Sequence, residues 1–263
     1  MRRLLCGVAQ HTAQQLLCVS EHVRTTLALP NSQQQVVHNA LPASFIEQAN
    51  RASLPYASPQ PFVVLMACSL RDYKGVPEFF ALARSLPEMS FELVLNASAE
   101  AVATYASQHL APANLTLFSA AHNMHPHYQR AAVVVNLSRP DEWVETFGMT
   151  ILEAMAYGRP VIVPPVGGVA EVNVHAHTGF AIDGRNLPAL QTILRLLQHN
   201  GPLYARMAAA ARLRADAFSP ARFAEQLVGA FRHLLPVAGA PSIAAPSPAT
   251  PTSVTQHQTL ASV

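Results

Sequence analysis

The chain has 263 residues, half of them apolar, enough for one large domain or two small ones around a buried core. Only 12% of residues are charged, against about a quarter in an ordinary soluble domain, and the formal net charge is +2. With no basic run, nothing points to nucleic acid as a partner. The three cysteines, Cys6, Cys18 and Cys68, lie far apart without a C-x-x-C. That excludes a disulfide framework and a zinc knuckle, and it suits a reducing cytoplasm. No apolar run reaches membrane-spanning length, while peripheral attachment to a membrane is left open. Arg2 and Arg3 precede an apolar patch that Gly7, Gln10 and His11 interrupt too early for a signal peptide, so the start reads as a helix.

In chain order, "LLCVSEHVRTTLAL" reads as a strand end and a helix, and "QQVVHNALP" as a strand and a turn. "ASFIEQANRASLPYASPQ" reads as a connector. Residues 1–58 are too little for a complete αβ layer and look like the closing elements of a domain whose beginning is absent.

From residue 59 the signals alternate. "PFVVLMA" is a short continuous apolar run, the mark of a buried strand. A turn-like "SLRDYKG" follows, then the helix "VPEFFALARSLP", with Pro77 suited to its first turn. "FELVLNA" is a strand, "AEAVATYASQHL" a helix, "NLTLFS" a strand, "HPHYQRA" a short helix and "AVVVNLS" a strand. A loop and helix come next, then strands "PVIVP" and "TGFAID". This order predicts an α/β domain over residues 59–218, a Rossmann-like open parallel sheet flanked by helices.

Three helices close the chain. The first carries a stripe of Leu187, Leu190, Ile193, Leu194 and Leu197, and the second is rich in alanine. The third, assigned to 219–235, starts at Ser219-Pro220 and sets Phe223, Leu227, Phe231 and Leu234 on one face. Residues 236–263 are Pro, Ala, Ser and Thr with almost no large apolar side chain, and are expected to be disordered.

Chemistry concentrates in "ETFGMTILEAMAYG", which leaves the carboxyl edge of the sheet where open α/β folds bind ligands. Phe147, Gly148, Met149 and Thr150 are predicted to form a first helical turn whose free N–H groups attract an anion. Leu152, Met155 and Ala156 follow core spacing, which leaves Glu153 off the buried stripe. Glu145 and Glu153 are separated by at most eight helical rises, about 12 Å. Carboxylates so spaced could accept hydroxyl hydrogen bonds at the two ends of a ligand with its phosphates between them. Arg71 and Lys74 follow the first strand at the same edge, where two cations could neutralise a diphosphate and stabilise it as a leaving group.

The run continues through Gly158, which suits a helix end, to "GGVAE". As a whole it reads E-T-F-G-M-T-I-L-E-A-M-A-Y-G-R-P-V-I and then G-G-V-A-E. It resembles the donor-binding core of retaining GT-B glycosyltransferases of family 4, whose pattern is E-x-F-G-x-x-x-x-E-A-M-A-x-G-x-P-V-I followed by G-G-x-x-E. The resemblance covers roughly residues 15–235. It implies a C-terminal lobe that binds a UDP-, GDP- or ADP-linked sugar, with Glu153 on the ribose hydroxyls and Glu145 on the transferred sugar. Backbone N–H groups from Phe147 to Thr150 would touch the sugar or diphosphate. "CSLRDYKG" matches the family's G-R-L-x-x-x-K-G at Lys74-Gly75, but Ser69 stands where the arginine is usual and Arg71 lies two residues later.

The implied activity is hexosyl transfer with retention, without a cofactor or metal if Lys74, Arg71 and the helix N-terminus supply the positive charge. The acceptor-binding N-terminal lobe is not in this sequence. The alternatives are therefore a non-catalytic nucleotide-sugar-binding fragment or one subunit of a split enzyme with a separate N-terminal lobe protein. A different GT-B enzyme such as a sugar-nucleotide epimerase is disfavoured by the match from Glu145 to Pro160.

The remaining candidates are weaker. His122, His125 and His127 offer a poor metal set because Pro126 breaks a shared helical face. His175 and His177 read as loop residues, Cys68 as a buried strand-end thiol and Trp143 as cover for the loop before Glu145, and the family resemblance implies that the turn from Phe118 to Asn123 lies near the nucleotide base.

Overall fold

The apolar runs become strands because they can be buried on both faces. In the computed structural model, which describes residues 15–27, 33–52, 59–120 and 123–232, six of them form one parallel sheet. These are β3 (Val63–Ser69), β4 (Ser90–Asn96), β5 (Leu115–Ser119), β6 (Val133–Val135), β7 (Val161–Val163) and β8 (Gly179–Ala181). Their spatial order is β5-β4-β3-β6-β7-β8, and every neighbouring pair is parallel. The Rossmann-like reading thus holds. A separate two-stranded parallel sheet joins β1 (Gln15–Cys18) and β2 (Gln33–Val36), with α1 (Glu21–Leu27) between them in the chain.

Strand side chains alternate between two layers of core. On one face Val64, Met66, Leu93, Val133 and Val135 pack with α3 (Val76–Ser85), α8 (Leu187–His199) and α9 (Gly201–Asp216). On the other, Leu65, Val94, Val134, Val161 and Val163 pack with α6 (Met149–Ala156) and α7 (Gly168–Val172). The fully buried Tyr204 on α9 donates its hydroxyl to the carbonyl of Ala132 (2.7 Å), so its one polar atom is satisfied inside the core. The remaining helices are α2 (Ala43–Asn50), α4 (Ala99–Gln108), α5 (His125–Arg130) and α10 (Pro220–Phe231).

Two readings need correction. Residues 43–50, taken as a connector, form α2, whose Ala49 is buried with the layer containing α6. The strand expected to run to Ser138 ends at Val135; Asn136 still donates its N–H to the Ile162 carbonyl (2.8 Å), and its side chain then turns the chain by accepting the Ser138 N–H (2.9 Å). The expected disorder of 236–263 and residues 233–235 of the closing helix lie outside the described residues, as do Cys6 and His122. Among the described residues no helix is long and apolar enough to cross a membrane.

Candidate active site

The strand order reverses between β3 and β6: the chain proceeds outward from β3 to β4 and β5, then from β6 to β7 and β8. The loops leaving these two strands part there, and a crevice opens at the sheet's carboxyl edge. It is a cleft of about 350 Å³ lined by the end of β3, Lys74, Asn136, Ser138, the segment from Glu145 to Thr150, and Asn39 from the N-terminal segment. An adjoining hollow of about 380 Å³ shares Ala67, Cys68, Ser69 and Thr150 with it and extends to Asn96, Ala120 and Met124. Lys74, Glu145, Phe147, Gly148, Met149 and Thr150 therefore meet in one place.

The first helical turn differs from expectation. Helix α6 begins at Met149, with Gly148 ahead of it in the left-handed region (φ +96°). A side chain there would be strained, and a Cβ would fall 2.6 Å from Val169 Cγ2. Ile151 and Leu152 donate to the Gly148 carbonyl, while the first two residues of the helix, Met149 and Thr150, which line the cleft, have no intrahelical acceptor for their N–H groups. The buried Phe147 ring sits edge-on to Phe218 (5.7 Å). At the other end Gly158 and Arg159 return N–H bonds to Met155 and Ala154, the glycine-terminated helix end read from the sequence.

The loop carrying Glu145 is held from behind by the Gly167-Gly168 turn. The Gly168 N–H donates to the Glu145 carbonyl (2.7 Å), and a Cβ on Gly168 would lie 1.9 Å from the Thr146 carbonyl oxygen. The last residue of that motif, Glu171, faces elsewhere. Its two carboxylate oxygens accept the N–H groups of Glu21 and His22 (2.9 and 2.6 Å), clamping the start of α1 onto the domain.

Lys74 Nζ donates to Glu145 Oε1 at 2.5 Å, and the Ser138 hydroxyl donates to the same oxygen at 2.9 Å. The lysine and glutamate side chains keep 14% and 17% exposure, enough to meet a ligand in the cleft. Trp143 lies beside them, stacked on Tyr73. Arg71 is exposed on the same loop, its carbonyl accepting the Lys74 N–H, and it does not line the cleft. Ser69, at the family's usual arginine position, does.

Glu153 is half-buried and outside the cleft lining. Burial pushes its carboxyl above the usual range, and the hydrogen bond from the Tyr128 hydroxyl (2.6 Å) partly offsets that. Tyr128 is itself fully buried, stacked on Tyr157 and edge-on to Phe45.

The Cys68 thiol is pushed up to about 12 by burial against the opposing pull of Lys74, which fits an inert thiol. His125 bonds the Tyr157 hydroxyl (2.6 Å) and His127 the Glu92 carboxylate (2.8 Å), so the two rings serve different partners. Among the described residues no three His, Cys, Asp or Glu side chains converge to hold a metal ion. Sequence reasoning did not find Ser138, Asn39 or Tyr128; only Ser138 had a local signal, the Asn136 turn two residues earlier.

The model of the family described as glycosyl transferases group 1 matches residues 54–214. The chain belongs to this family. Among group 1 relatives, the D-inositol 3-phosphate glycosyltransferase of Stackebrandtia nassauensis is 37% identical over 87 residues, 33% of this chain and 20% of the relative. That of Geodermatophilus obscurus is 33% identical over 105 residues, 40% of this chain and 22% of the relative. The match thus spans about a fifth of these relatives' length. Among solved structures, HepE of Anabaena in complex with UDP and glucose superposes with a TM-score of 0.71 at 19% identity. The superposition covers 88% of this chain and 66% of that one. Sucrose-phosphate synthase of Thermosynechococcus elongatus also gives 0.71, at 21% identity, covering 88% and 62%. The fold is that of a GT-B glycosyltransferase domain.

Proposed function

We propose that this chain binds a nucleotide sugar in the cleft between β3 and β6, as the donor half of a hexosyltransferase that retains anomeric configuration. The observation that carries the reading is the convergence of Lys74, Glu145 and the open N–H groups of α6 on one crevice at the strand-order reversal. The family membership and the UDP-bound HepE neighbour support a nucleotide sugar as the ligand class.

In this reading the diphosphate lies against Lys74 and the Met149 and Thr150 N–H groups. As the sugar–phosphate bond breaks, negative charge grows on the leaving oxygen, and these preorganised donors stabilise it without rearranging. Arg71, exposed on the same loop and outside the cleft lining, adds positive charge only at longer range, and this donor set requires no metal. Glu145, its carboxylate fixed by Ser138, accepts a hydroxyl of the transferred hexose. Glu153, one turn further along α6 from Met149 and outside the cleft lining, accepts the ribose hydroxyls of a nucleoside that extends beyond the cleft. Free Cys18 and Cys68 suit a cytoplasmic setting.

Isothermal titration of the purified chain with UDP-, GDP- and ADP-glucose tests the donor reading. Binding of one of the three by wild type, weakened in Glu153→Ala, is expected. No binding of any, or undiminished binding by the variant, would overturn the ribose assignment. Retention is tested on the product, whose anomeric proton coupling should match that of the donor.

A further inference from the structure

Trp143 is the single tryptophan of the chain and remains 43% exposed beside the cleft. Its ring stacks on Tyr73, with centroids 5.5 Å apart and planes at 26°. Lys74 Nζ lies over the indole, 4.8 Å from its centroid, and 5.9 Å from that of Tyr73. The two aromatics arrive on different loops, one following β3 and the other β6. Arg139 ties these loops together: its N–H donates to the Tyr73 carbonyl (2.9 Å), and its own carbonyl accepts the Trp143 N–H (2.8 Å). Its guanidinium bridges Glu78 (2.8 Å) on α3 and Glu142 (2.9 Å). The indole is therefore held at the cleft rim by its backbone and by an ion-pair network.

A lysine ammonium is a compact charge on a flexible four-carbon stem, so its position must be set from outside. Glu145 sets it from one side, but a carboxylate cancels much of the charge an incoming anion would meet. An aromatic face attracts a cation through its quadrupole and adds no net negative charge.

We propose that Trp143, backed by Tyr73, is a positioning residue that holds the Lys74 ammonium at the cleft mouth with its charge available to the diphosphate of a nucleotide sugar. The proposal rests on the donor-binding reading above. It assigns the aromatic pair to the lysine rather than to packing, and it explains why a large apolar ring stays at the surface there.

The test is titration with UDP-glucose, GDP-glucose and ADP-glucose of wild type, Trp143→Phe, Trp143→Leu, Lys74→Ala and the Trp143→Leu/Lys74→Ala double variant. Thermal melts of each establish that it is folded. Trp143→Leu should bind the donor about 2–5-fold more weakly, the size of an exposed cation–π contact. Trp143→Phe, which keeps an aromatic face, should recover most of that loss. In the Lys74→Ala background Trp143→Leu should cost nothing further, because the indole acts through the lysine. Wild-type tryptophan emission should change on donor binding, and that change should shrink in Lys74→Ala. Equal losses in the Phe and Leu variants, or a full additional loss in the double variant, would overturn the positioning role while leaving donor binding intact. Wild-type affinity in Trp143→Leu would do the same. Failure of wild type to bind any of the three donors would remove the donor reading and this proposal with it.

Discussion

Replacing Tyr128 by Phe deletes one oxygen atom and leaves the half-buried Glu153 carboxylate without the donor that now sits 2.6 Å away. A hydrogen bond to a charged group is worth about 1.5–3 kcal/mol. For a domain of this size each kcal/mol shifts the melting temperature by about 2–4 °C, so the loss should read as about 3–12 °C near pH 8. The pH dependence follows from the direction of the Glu153 shift. Burial raises its folded pKa and the Tyr128 bond lowers it. Without that bond the folded pKa rises further above the unfolded value. The folded state then binds more protons than the unfolded state across the window between the two values, and stability falls as pH rises through it. The penalty of the variant is therefore fully present above the raised folded pKa and is relieved as pH drops through it. Melts of both proteins by circular dichroism at pH 8 and pH 5 check this. An equal loss at both pH values, or none at pH 8, would refute the idea that Tyr128 holds an ionised Glu153.

Gly168→Ala drives a Cβ to 1.9 Å from the Thr146 carbonyl oxygen, so it should cost about 1–3 kcal/mol and weaken donor binding by shifting the Glu145 loop; melting and titration together read both effects. Glu171→Gln removes the charged acceptor of the Glu21 and His22 N–H groups, and should lower stability by about 0.5–2 kcal/mol while speeding amide hydrogen exchange in α1. Cys68 lines both hollows, but with its thiol pushed up to about 12 it should react with iodoacetamide at pH 8 much more slowly in the folded protein than after unfolding, as peptide mapping by mass spectrometry would show.

Where the sequence was most legible, the reason is local. Val64, Leu65 and Met66 sit in a run too apolar to be anything but buried, and the Phe147–Gly148 step and Gly158 mark the two ends of α6 within a dozen residues. The helix α2 was not legible because its eight residues carry no side-chain cap, with Pro42 in the N-cap position, and only Ala49 is buried. The Phe147–Gly148 step marks the start of α6 only to within two residues, because a glycine is also tolerated in a first helical turn and its identity alone does not show that the backbone there is left-handed. The partnerships inside the site were the least accessible. Lys74 and Glu145 are 71 positions apart and meet only because β3 and β6 are neighbours in the sheet. Tyr128 is 25 positions from Glu153, and Glu171 reaches back about 150 positions to α1. Such pairs are products of strand order, not of spacing along the chain.

The central claim is that the crevice between β3 and β6 is where a nucleotide sugar binds. Amide chemical-shift mapping of the labelled chain during titration with UDP-, GDP- and ADP-glucose tests it most directly. The account predicts that the donor that binds will perturb Lys74, Glu145, Met149 and Thr150 most. Saturable shifts centred instead on the outer face of α4, around Glu100 and Thr104, with these four unmoved, would contradict it.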